Sequence, residues 1–159
     1  MKPKEPAAEQ IEFSTPYTAL RINVPCVREP TETLIRTPLD CRALLPEAAD
    51  MAQEAFYVLT MNGKNRLIQK HLVTLGVADA ALVAPREIFL RAILDRACAL
   101  VLAHNHPSGD PAPSANDLAI TRQMVAAGRI MGIAVLDHVI VGRPGCFSIR
   151  EAGLVDFAA

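Results

Sequence analysis

Apolar and polar positions alternate with period two in several short runs and with a period near 3.6 in longer ones, and the two patterns interleave from residue 55 onward. Leu20, Ile22 and Val24 alternate within Ala19–Val27, which predicts a strand that Pro25 ends or confines to a sheet edge. Pro38 to about Gln53 reads as helix, with Leu39, Leu44 and Leu45 among its apolar positions, and Pro46 predicts a kink or two short pieces. Phe56–Met61 is β-rich, Asn62-Gly63 is a hairpin dipeptide, and Leu67–Leu75 suits the returning strand. The run PREIFLRAILDRA starts a helix at Pro85, with Ile88, Ala92 and Leu94 to bury. Cys98–Ala103 is continuous apolar sequence of the fully buried strand type, and the turn formers of HPSGDPAPS follow it. Ser114 opens a helix to about Met131, with Ile120, Met124, Ala127 and Met131 on one face. Gly132 ends that helix. Ile133–Val141 is a further strand, and a short strand near Phe147–Ile149 and a helical turn at Arg150–Leu154 complete the pattern. The alternation predicts an α/β sandwich with a mixed sheet.

The chain has 159 residues with 51% hydrophobic and 21% charged, the balance of one globular domain with a short appendage. Residues 1–16 carry three prolines and mixed charge and are expected to form a flexible arm. Residues 17–50 read as an extension packing on a domain that spans 51–157. Sixteen Lys+Arg against seventeen Asp+Glu give a net charge of −1, which argues against affinity built on phosphate neutralisation. Two Tyr, five Phe and no Trp supply few base-stacking platforms, so direct nucleic-acid binding is disfavoured. The longest apolar run, Ala97–Ala103, falls far short of the ~20 residues of a membrane span. MKPKEPAAEQ lacks the apolar core of a secretory signal. Cys26, Cys41, Cys98 and Cys146 are widely spaced without a CxxC pair, and read as reduced, buried thiols of a cytoplasmic protein.

Chemistry concentrates after the buried strand. His104 and His106 are separated by one residue, and extended backbone points such positions to the same side, so both imidazoles can converge on one metal ion. Ser114 and Asp117 stand eight and eleven residues beyond His106, where the proline-rich loop could fold Asp117 back over the histidines. Two His and one carboxylate leave a tetrahedral zinc one position short, the arrangement of catalytic rather than structural sites. Such chemistry needs a carboxylate to take and return a proton. It also needs a donor to a developing oxyanion, a role open to the Ser114 hydroxyl.

The spacing His-x-His-x7-Ser-x2-Asp is that of the JAMM (JAB/MPN) metallopeptidases, and the surrounding AHNHPSGDPAPSANDLAITRQ, GIAVLDHVIVG and APREIFLRAI resemble the RadC family, from about Gln53 to Leu154. The resemblance implies a JAMM-type α-β-α sandwich related to the cytidine deaminases, with one Zn2+ per chain held by His104, His106 and Asp117. It also implies a glutamate general base on an upstream strand. Glu54 matches that place, with Glu47 and Glu87 as competitors. Unlike many members, the first 50 residues here do not resemble a helix-hairpin-helix region. Asn62 stands where the family usually has Asp, and Ala84 where a His often precedes PRE.

Each residue also has an ordinary role to fill. Ser114 and Asp117 suit a helix cap, with Ser at the N-cap and an acid three residues on. Asp110 suits a turn, with replacement of Asp117 as ligand the other option. Asn105 is expected to point away from the histidines and bond backbone. His138 reads as a satisfied core histidine, the alternative being to orient a ligand. His71 and the Lys64, Arg66, Lys70 group read as a solvated hairpin face. The function expected from the resemblance is zinc-dependent hydrolysis of a peptide or isopeptide bond in a peptide or protein substrate. The alternatives are a DNA-repair-associated protein without peptidase activity and a non-catalytic MPN-type scaffold. A sheet edge near Pro25 or in the hairpin is a candidate for homodimer pairing or strand addition.

Overall fold

A computed structural model describes residues 9–14, 19–24, 30–76 and 83–158. Two strands lie in the N-terminal stretch: β1 (Glu9–Ser14) pairs antiparallel with β2 (Ala19–Val24), Ile11 opposite Ile22 and Phe13 opposite Leu20. β2 was expected. β1 was not, because Glu9–Ser14 falls in the stretch read as an arm. Cys26 lies outside the described residues.

Pro46 divides the next segment as anticipated. α1 (Pro38–Ala43) is closed at its start by a capping box between Thr37 and Asp40, and a separate 3-10 turn covers Ala48–Asp50. The main sheet has the order β4-β3-β5-β6-β7. β3 (Ala55–Met61) and β4 (Leu67–Leu75) form an antiparallel hairpin, and β3 also pairs antiparallel with β5 (Ala99–Asn105). The hairpin turn is longer than the Asn62-Gly63 dipeptide predicts: Asn62 N–H donates to the Arg66 carbonyl, and Asn65 takes the left-handed φ of 57°. Asn tolerates that region, and the Asn62 Oδ1 accepts from Lys64 and Arg66 N–H, so side-chain bonding rather than glycine builds the turn.

β5 runs through α3 (Ala115–Met131) to β6 (Ala134–Val141), its parallel neighbour, and β7 (Cys146–Ser148) closes the sheet antiparallel to β6. One face of the sheet buries Phe56, Val58, Leu100 and Leu102 against α2 (Pro85–Leu94), through Ile88, Phe89 and Ala92, and against α3, through Ile120 and Met124. The other buries Tyr57, Leu59, Val101 and Val139 against Cys41, Leu45 and Ala48. The result is an α/β sandwich with a mixed five-stranded sheet, as predicted. The amphipathic readings err at helix ends. Leu94 and Met131 are exposed, each on the last residue of its helix, where the apolar face has run past the sheet. Cys41 is buried as expected, but Cys98 is exposed and Cys146 half-buried. His71 is not solvated: it contacts the buried Asp95, which also accepts from the Thr60 hydroxyl. Lys64 and Lys70 are exposed as expected, Lys70 beside Glu47, and Arg66 is half-buried and pairs with Glu32. Among the described residues, no helix is long and apolar enough to cross a membrane.

A register shift in β6 has consequences for the site. Leu100 pairs with Val135 but Val101 with Asp137, so Leu136 is an extra residue in the strand. Val135 therefore packs with the α2/α3 core, while Val139 and Val141 pack on the opposite face. The bulge reverses which side of the sheet the odd and even residues meet, and it turns His138 toward β5's even-numbered side chains.

Candidate metal centre

β5 delivers the imidazoles where it leaves the sheet, at the carboxyl end of a parallel strand pair. His104 is fully buried and His106 largely so. The Nε2 atoms of His104 and His106 lie 2.9 Å apart. Asp117 arrives from the start of α3 through the cap itself. Ser114 is the N-cap, its Oγ accepting from the Asp117 N–H at 3.1 Å. The Asp117 carboxylate reaches back, and Oδ2 accepts from the Ser114 N–H and hydroxyl, both at 2.7 Å. This reach sets Asp117 Oδ1 3.2 Å from His104 Nε2 and Oδ2 3.3 Å from His106 Nε2. The capping reading and the metal reading of Asp117 are therefore one geometry. Burial works to raise the Asp117 carboxyl, but a proton on the adjoining His104 ring, where the ring carries one on that side, and the Ser114 donors lower it below the ordinary carboxylate range.

His106 Nδ1 is 2.8 Å from the Asp110 carbonyl, which can only accept, so Nδ1 carries the ring proton and Nε2 a bare lone pair. That lone pair, the second Nε2 and two carboxylate oxygens close on a space that favours a cation. Ligand atoms about 2.0–2.2 Å from a tetrahedral zinc lie about 3.3–3.6 Å from one another. The two Nε2 atoms, 2.9 Å apart, reach that figure with an opening of a few tenths of an ångström, and each has one of the two Asp117 oxygens close to it, at 3.2 and 3.3 Å. Among the described residues, His104, His106 and Asp117 form the His/Cys/Asp/Glu group whose ligand atoms converge in this way. Asp110 is not part of it: its Oδ1 accepts from Ala112 N–H, a turn role, and its carbonyl orients His106.

Glu54 stands just ahead of β3 with Oε1 3.9 Å from His104 Nε2, too long for a hydrogen bond and within reach through one water. Its backbone is held on both sides. Asn105 points away from the imidazoles, as expected, accepting from Ala55 N–H at 2.8 Å and donating to the Gln53 carbonyl at 3.1 Å. The Glu54 carbonyl accepts from Gly76 N–H. Glu47 is occupied by Lys70, and Glu87 lies against Arg86 in the first turn of α2. Behind the site, the Phe56 ring stacks on His104 at 5.8 Å and meets His138 edge-on at 5.5 Å.

Residues 35–154 match the family described as RadC-like JAB domain. This chain belongs to that family. The match takes in α1 as well as the five-stranded sheet and the His104, His106 and Asp117 group. A UPF0758 protein of Symbiobacterium thermophilum is 51% identical over 112 residues, covering 70% of this chain and 48% of that protein. One from Listeria monocytogenes is 41% identical over 128 residues (80% of this chain, 57% of the other), and one from Desulforamulus reducens 39% over 126 (79% and 56%). The RadC-like chain thus spans about half the length of these relatives.

The loop carrying His106 and Asp110 depends on a close approach in this RadC-like domain. A Cβ on Gly142 would lie 2.4 Å from the Gly109 carbonyl oxygen and 2.7 Å from Pro111 Cδ. Gly142→Ala is expected to cost about 1–3 kcal/mol, measured as a lowered midpoint of thermal unfolding. Gly145→Ala, with nothing within 4 Å of its Cβ position, is the control expected to leave the midpoint nearly unchanged.

Proposed function

We propose that this RadC-like JAB domain is a zinc-dependent hydrolase that cleaves a peptide or isopeptide bond. The observation that carries the reading is the convergence of His104 Nε2, His106 Nε2 and the Asp117 carboxylate, with Glu54 beside them rather than among them. Three protein ligands leave a fourth position for reactants. A bound zinc ion would supply Lewis-acid polarisation and a water acidic enough to react near neutral pH. The rest falls to the protein. Glu54 takes the proton of the attacking water at Oε1 and returns it to the leaving amine nitrogen. The Ser114 hydroxyl, which donates to Asp117 Oδ2 in this structure, rotates toward the substrate oxyanion, while the Ser114 N–H stays on the carboxylate. Asn105 keeps the Glu54 backbone in place throughout.

The reading is tested by elemental analysis of purified protein, followed by screening peptide and isopeptide libraries. Near one zinc per chain together with cleavage of a library member is the expected result. Protein that stays metal-free after zinc is supplied would overturn it and leave an MPN-type interaction scaffold.

A further inference from the structure

His138 is fully buried, lies on a strand that contributes none of the three converging side chains, and has both ring nitrogens in a hydrogen-bond chain. Its Nε2 is 2.8 Å from His104 Nδ1, and its Nδ1 is 2.6 Å from Thr121 Oγ1. Thr121 is in the second turn of α3, and its hydroxyl is also 2.6 Å from the main-chain carbonyl of Asp117, one turn earlier.

The direction of every proton in this chain follows from its last member. A carbonyl only accepts, so the single hydroxyl proton of Thr121 goes to Asp117. Thr121 Oγ1 then offers His138 a lone pair, and His138 Nδ1 must be the donor. His138 is fully buried with a hydroxyl and a second imidazole as its ring partners, and a neutral imidazole carries a single N–H, so with that proton on Nδ1 its Nε2 is unprotonated. His104 Nδ1 must therefore donate to it. A neutral imidazole has one N–H, and with that proton on Nδ1, His104 presents a bare lone pair at Nε2.

We propose that His138 and Thr121 are positioning residues that set the tautomer of His104, through a chain of hydrogen bonds that runs from one metal ligand and ends on the main chain of another, Asp117. The inference rests on reading the cluster as a metal centre. Both nitrogens of His138 are occupied, so it is not a fourth ligand. The bulge in β6 is what makes the chain possible: with Leu136 paired opposite Val101 in regular register, His138 would fall opposite Ala103 on the α1 side of the sheet, and His104 would have no partner at Nδ1. Finally, it ties the aim of His104 to the first turns of α3, so the strand ligand and the helix ligand are held as one unit.

Thr121 touches no ligand side chain and gives the sharpest test. In Thr121→Val the chain loses its fixed end. His138 is then free to carry its proton on Nε2, which forces the His104 proton onto the nitrogen that faces the metal. Zinc affinity, measured by competition with a chromophoric chelator, is expected to fall about 10- to 100-fold in Thr121→Val and His138→Leu. Thr121→Ser, which restores the hydroxyl, and His138→Gln, which keeps an acceptor for His104, should recover most of it. Metal-free wild type at mildly alkaline pH supplies a measurement independent of folding in the variants. Long-range proton–nitrogen correlation NMR is expected to show both His104 and His138 protonated at Nδ1. An Nε2–H tautomer at His104, or Thr121→Val binding zinc like wild type, would overturn the proposal. Asp117→Ala, run alongside, separates the two readings. If wild type and this variant take up zinc equally, the metal centre itself is misplaced, whereas the NMR result still decides the hydrogen-bond chain.

Discussion

Glu54→Gln is expected to lower hydrolytic turnover by about 10²- to 10⁴-fold while the protein still takes up one zinc per chain. Glutamine keeps the shape of the side chain and can still accept a hydrogen bond, but it cannot take a proton from water near neutral pH. The backbone on either side is fixed by Asn105, which bonds Gln53 and Ala55, so the substitution should leave the side chain where it is. The effect should therefore fall on turnover, not on the affinity for substrate or metal. Glu47→Gln and Glu87→Gln serve as comparisons, because those carboxylates face Lys70 and Arg86 instead of the histidines. Full activity in Glu54→Gln would place the base elsewhere. Loss of zinc with loss of activity would make Glu54 a ligand.

The convergence of His104, His106 and Asp117 was legible in the sequence because these residues are local. His104 and His106 are two residues apart on the end of one strand, and Asp117 opens the next helix, so strand geometry, a loop and a helix cap are enough to bring them together. Glu54 was reached by another route. It comes from a neighbouring antiparallel strand, and without the family resemblance nothing near it distinguishes it from Glu47, which also precedes that strand. Only the pairing of Phe56 with His104 puts the start of β3 beside the end of β5.

The hydrogen-bond chain behind His104 was less accessible. Reading Ala134–Val141 with a strict period of two puts Val135 and Val139 on the same face, and His138 on the other. The bulge at Leu136 breaks that parity, and a single sequence carries no clear signal for it beyond the polar pair Asp137-His138 within an apolar strand. Asp137 completes the local account: its carboxylate accepts from the His138 and Arg150 N–H groups and from the Ser148 hydroxyl, fixing the bulge to the turn after β7. The misplaced burial of Leu94 and Cys98 has a different origin. Periodicity identifies a helix face or a buried run, but where the neighbouring layer stops is a tertiary property.

Asp117→Ala is expected to reduce zinc affinity at least about 100-fold, more than a residue behind the ligands would. It should also weaken the start of α3, because the same carboxylate accepts from the Ser114 N–H and hydroxyl. The two losses separate in thermal unfolding with and without zinc. A cap contributes about 1 kcal/mol whether or not metal is present. Zinc at a hundred times its dissociation constant adds about 2.7 kcal/mol, and only to a folded state that binds it. Wild type should therefore unfold at a higher temperature when zinc is added. Asp117→Ala should start lower and not respond. Ser114→Ala, which removes the cap hydroxyl but keeps the carboxylate, should start lower and still respond. Asp117→Asn keeps an acceptor for the Ser114 N–H but gives up the charge, so it should recover part of the metal-free stability and little of the zinc response. Equal zinc responses in wild type and Asp117→Ala would mean that Asp117 is a cap alone, and that zinc is not held by the His104, His106 and Asp117 group.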